Sequence, residues 1–136
     1  MPQIYLLTIL TCLLTGGVFA ADMLEQKAPV LAFLKRMQDK GSQTLLGIVV
    51  FIFGIVKLFI PSPTETSLIL GDLLPALVGI VGGGILTIEA LYRDRDIIPP
   101  FMASAIAIRK QYASGLGILF ILIGLLHLIL PGVILL

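Results

Sequence analysis

Long apolar runs, broken by short stretches rich in charge, glycine or proline, set the pattern of this chain. The runs cover about residues 4 to 22, 44 to 61, 67 to 91 and 114 to 135. None alternates apolar with polar positions, as the strands of a membrane barrel do. Each approaches or exceeds the roughly 20 residues that a helix needs to cross a hydrocarbon layer of about 30 Å. The pattern predicts an all-α integral membrane protein with four transmembrane helices.

The runs are not independent. Residues 45–61, LLGIVVFIFGIVKLFIP, lie without a gap over residues 115–131, GLGILFILIGLLHLILP. Gly47 falls on Gly117, Gly54 on Gly124, Lys57 on His127 and Pro61 on Pro131, an offset of 70. Upstream, Gly16 and Gly17 fall on Gly83 and Gly84, Asp22 on Glu89 and Leu24 on Leu91 at an offset of 67, while Pro29 falls on Pro99 at 70. A three-residue insertion near Arg93–Asp96 accounts for the change of offset. The chain therefore reads as two copies of one unit, residues 1–63 and 64–136, each a span, a proline-started interfacial segment and a second span. A unit that crosses twice returns to its starting side, so the copies are parallel rather than inverted.

The first run has a second reading, because its apolar core ends in Val18-Phe19-Ala20 before Ala21, as a cleaved secretory signal does. No basic residue precedes it, and a retained helix is expected. The second run is followed by Pro-Ser-Pro-Thr-Glu-Thr, a turn short enough to make spans two and three antiparallel neighbours. The polar connections, about 22–44 and 93–113, hold PVLAFLKRMQ and FMASAIAIRKQY, which have apolar residues at helical spacing and are expected to lie in the headgroup region.

Composition agrees with a lipid environment. Hydrophobic residues make up 58% of the 136 positions and charged ones 12%, against roughly 25% charged in soluble domains. Nine Lys and Arg balance eight Asp and Glu, which gives no basic footprint for a nucleic acid. Their placement says more than their number. All but Lys57 fall in the two connections; loops rich in Lys and Arg stay in the cytoplasm. The expected location is the cell (inner) membrane, multi-pass, with cytoplasmic connections and both termini outside. Cys12 is the only cysteine and offers no internal disulfide.

The glycines are candidates for helix packing. Gly47 and Gly54, like Gly117 and Gly124, are seven residues apart and share one helix stripe; Gly79 and Gly83 stand at the GxxxG spacing. In lipid, where leucine has no preference for protein over solvent, helices associate through close packing at small residues. The stripes can serve within a four-helix bundle or between protomers.

A few polar residues sit where they are costly. Asp22 and Glu89 mark the inner ends of spans one and three, Asp72 the outer start of span three, and Lys57 and His127 matching places near the outer ends of spans two and four. Glu89 has Arg93 four residues on, a pairing distance on a helix, and Asp22 has basic neighbours in its connection. Read functionally, the four residues Asp22, Glu89, Asp72 and His127 are candidates for an ion or proton relay. Inner and outer sets are separated by about 25 Å, some 17 residues at 1.5 Å each. Lys57 is expected to snorkel, laying its stem along the helix with its ammonium among headgroups. Ser67 and Thr66 are alternative helix caps near Asp72.

A lone histidine without a Glu-x-x-His or cysteine partner makes no metal set. No GxSxG or GxxxxGK[ST] context is present. No catalytic residue, metal or cofactor is expected, and the protein is read as a non-enzyme. Its expected partners are membrane lipid and either its own copies or other membrane subunits. The expected role is that of a structural or accessory subunit acting through glycine-lined helix packing; the alternative is a small proton or cation channel or carrier using the intramembrane acids.

Overall fold

The computed structural model describes residues 2–60 and 73–130. The described chain is helical, with no strand among the described residues. Helix α1, Pro2–Phe19, runs into α2, Ala21–Lys27, through a bend of 82° at Ala20. A single 3-10 turn, Pro29–Leu31, and the short α3, Ala32–Arg36, complete the first connection. Pro29 starts that turn, where its missing N–H is no loss. Asp39 then caps α4, Lys40–Phe59, its carboxylate accepting from the Gly41 N–H at 3.2 Å.

The third run is a composite. Its described part begins with α5, Leu73–Leu77, passes through a π turn, Val78–Gly82, and ends as α6, Gly83–Tyr92. Helix α7, Pro100–Ile129, is 30 residues long and begins with proline at its first turn. Three helical stretches, Lys40–Phe59, Leu73–Tyr92 and Pro100–Ile129, are long and apolar enough to cross a membrane; α1 with α2 makes a fourth if the bent pair counts as one.

Several boundaries differ from those the apolar pattern predicts. The pattern places the first span at 4–22, but the straight helix stops at Phe19 and the chain turns before Asp22. It places the last span at 114–135, with FMASAIAIRKQY as a separate segment. The two instead form one helix from Pro100, kinked at Tyr112, whose φ of −118° and ψ of 16° leave the helical region. A straight run of that length would measure about 45 Å, well beyond the hydrocarbon thickness. Pro61, the Pro-Ser-Pro-Thr-Glu-Thr turn, Thr66, Ser67, Asp72 and Pro131 lie outside the described residues.

Helix α1 packs chiefly on α7, and α4 on the α5–π–α6 stretch. The core between the two pairs holds Cys12, Val18, Phe19, Val78, Leu86 and Phe120, with the Phe19 and Phe120 rings edge to face at 5.2 Å. Both connections sit at one end, where the Lys40 ammonium meets the Asp94 carboxylate at 2.6 Å and Arg93 donates to the Gln38 carbonyl at 2.9 Å.

Candidate functional site

The glycines named from the sequence lie where helices of the chain approach one another closely. A Cβ built on Gly54 would fall 2.6 Å from the Ile80 nitrogen and 2.8 Å from the Gly79 carbonyl carbon; one on Gly83 would fall 2.5 Å from the Phe51 nitrogen. Gly79 faces Gly54, and Gly47 faces Thr87 and the Gly83 carbonyl. On the other pair, Gly117 faces Ala20 and Gly16, and Gly124 faces Cys12 and Ile9 more loosely, at 3.0 and 3.5 Å. Each of the six thus meets another helix of the same chain.

At the far end from the connections, Lys57 and His127 are buried, at 2% and 1% exposure. Burial of Lys57 departs from the expectation that it snorkels: its side chain packs in the bundle instead of running along the outside. The His127 ring lies 4.9 Å from that of Tyr5, and Tyr5 donates to the backbone carbonyls of His127 and Leu128. This tyrosine does not stand out from the sequence; the signal available is the one aromatic residue in the first turns of α1.

Asp22 and Glu89, which fall on each other when the two halves of the sequence are aligned, have opposite surroundings. Asp22 is 70% exposed, with the Lys35 ammonium 3.6 Å away. Lys35 also donates to Glu25 at 2.7 Å, and that hydrogen bond, with the charge behind it, raises the Lys35 pKa above its ordinary value. Glu89 is 14% exposed and paired with Arg109, itself 9% exposed. The expected partner four residues on, Arg93, turns instead to Gln43 Oε1 at 2.7 Å and to the Gln38 carbonyl. The long-range pair wins because Arg109 comes from α7, across the interior, whereas Arg93 stands at the rim where α6 ends.

Gln43 joins these groups. Its amide donates to Glu89 Oε2 at 2.7 Å and to the Leu86 carbonyl at 3.1 Å while its oxygen accepts from Arg93. Gln38 in turn donates to the Val18 carbonyl at 2.9 Å, and the Arg109 guanidinium carbon stands 5.2 Å over the Phe19 ring, within cation–π range. The result is a polar network linking the connections to α1, α4, α6 and α7, beside a cavity of about 410 Å³. Among the described residues no three His, Cys, Asp or Glu side chains gather as a metal set. Sequence reasoning finds Glu89 here but misses Gln43 and Arg109; a glutamine and an arginine that each fall on the apolar side of a helix are the available signal.

One protein-family model, whose description names no function, matches residues 1–127. The chain belongs to that family. Neither a curated protein nor a solved structure matches this family member.

Proposed function

We propose that the chain is a four-crossing protein of the cell membrane, made of two parallel two-span copies, and that it is a structural or accessory subunit of a membrane assembly or homo-oligomer. In this reading residues 1–63 and 64–136 are the copies, the basic connections are cytoplasmic and both termini face outward. The observation that carries the duplication is a set of matched contacts. Gly16 against Gly117 in one pair corresponds to Gly83 against Gly47 in the other; Cys12 and Ile9 against Gly124 correspond to Gly79 and Ala76 against Gly54. Each copy's first span therefore packs on the second span of the other, as a twofold arrangement requires.

Support for the structural role comes from what faces outward. With the glycines turned inward, α4 and α7 present large aliphatic side chains at matching places: Val49 and Leu119, Ile52 and Leu122, Val56 and Leu126 are all exposed. In a membrane, acyl chains or partner helices of the same apolar character cover these two ridges, through packing rather than charge. The channel or carrier reading has less support, since the Glu89 carboxylate is held by Arg109 and Gln43 and a neighbouring guanidinium repels a cation. Cross-linking in native membranes tests the proposal. A species larger than one chain is expected, and Ile52→Trp or Leu122→Trp should remove it without unfolding the monomer. Monomer alone, or pH-dependent ion flux in reconstituted vesicles that Glu89→Gln abolishes, would overturn the structural role.

A further inference from the structure

The polar cavity beside Glu89 has more positive charge than its carboxylates match. Arg93, Arg109 and Lys110 line it, together with Asp22 and Glu89. Asp22 is drawn to Lys35, and Glu89 is shared by Arg109 and Gln43. The hydrogen bonds of Arg93 go to neutral oxygens, the side-chain oxygen of Gln43 and the backbone carbonyl of Gln38. Arg109 Nε is buried and has no hydrogen-bond partner among the described residues. A buried cationic donor without an acceptor is costly, and the Arg93 guanidinium, hydrogen-bonded only to amide oxygens and near the Asp94 carboxylate that Lys40 already holds, is incompletely matched as well.

We infer that this cavity is a binding site for a phosphate group, held between Arg93 and Arg109 with Lys110 at its edge. Guanidinium forks match phosphate oxygens in pairs, and Lys110 supplies a point charge. A volume of about 410 Å³ admits a phosphate with a small organic group attached. The site lies at the end that carries both basic connections, where either a lipid phosphodiester or a soluble phosphate ester could reach it. Neither source depends on the subunit role proposed above.

The test uses the full chain in mild detergent and in nanodiscs. Inorganic phosphate is titrated against thermal unfolding in detergent, and nanodiscs of phosphatidylcholine with or without phosphatidylglycerol are opened in a native mass spectrometer to count retained lipids. A saturable rise in Tm with phosphate without selective lipid retention marks a soluble ester as the ligand; selective retention of phosphatidylglycerol, with or without that rise, marks a lipid headgroup. In either case Arg93→Gln should weaken binding about tenfold, the loss of one charge-assisted contact. Lys110→Gln, at an exposed position of α7, should weaken it in the same direction and serves if Arg93→Gln fails to fold. Binding of neither probe, or binding that both variants leave unchanged, would overturn the site.

Discussion

A glycine in these helices is informative only through what stands opposite it. At Gly54 the neighbours are backbone atoms of the facing helix, closer than any real Cβ tolerates. Backbone cannot rotate away, so Gly54→Ala must push α4 from the π turn, an overpacking cost of about 1–3 kcal/mol. Gly115, by contrast, has nothing within 4 Å of the place an alanine methyl would take, and Gly115→Ala should stabilise by about 0.5–1 kcal/mol through reduced backbone freedom in the unfolded chain. Thermal unfolding in detergent should show Tm falling for the first and holding or rising for the second; equal shifts would remove the close-approach argument. The Glu89–Arg109 pair behaves differently, because removing one partner leaves the other buried. Arg109→Met should cost about 3 kcal/mol or more, and adding Glu89→Gln should recover part of it. Glu89 can be picked out of the sequence because an acid interrupts an apolar run. Its partner cannot, since the four-residue spacing to Arg93 is a local rule and Arg109 arrives through tertiary packing.

At the scale of elements, the apolar runs reveal where helices form, since continuous hydrophobic length dominates in this composition. The breaks are less visible. The bend at Ala20 falls among alanines, good helix formers, and the kink at Tyr112 has only the nearby Ser114 and Gly115 to announce it. Pro100 opens α7 behind Pro99, as proline at a first turn favours; the difference from the apolar pattern is that the proline-started segment runs on into the last span as one helix. The two connections are latched by Lys40 and Asp94. The hydrogen bond from Lys40, and then its charge, lower the Asp94 pKa below the ordinary 3.8. Since the folded value lies below the unfolded one, the latch stabilises at pH above the ordinary carboxylate value and fades as pH falls through the folded value. The pair is solvent-exposed, so its contribution is small and salt-sensitive. A carboxyl NMR titration should show Asp94 titrating low in the native chain and moving up toward its ordinary value in Lys40→Gln; an unchanged Asp94 titration would mean that no latch forms in solution.

For the whole molecule, the pairing of helices across the two proposed repeat units has a consequence that a side-by-side arrangement would not share. If each copy packed within itself, either half could fold alone and the halves would have little reason to meet. Here α1 rests on α7 and α4 on the α5–π–α6 stretch, so each half brings two unfinished faces. Residues 1–63 and 64–136, expressed as separate chains in one membrane, should therefore associate, and a tag on one should retain the other after mild solubilisation. Gly83→Leu in the second half should abolish retention, because its Cβ would meet the Phe51 backbone of the first, and Gly16→Leu in the first should do the same through Gly117 and Ile121. Gly115→Leu should leave it intact. The second half alone has a further option: its first and second spans carry both kinds of glycine face, so two copies can imitate the whole molecule, with Gly83 of one against Gly117 of the other. A mixture should show the heterodimer outcompeting that homodimer, because only the heterodimer restores the contact of Gln43 with Glu89 and Arg93. Halves that remain separate, or that associate regardless of Gly16→Leu and Gly83→Leu, would mean that the helices do not pair across the copies in the membrane.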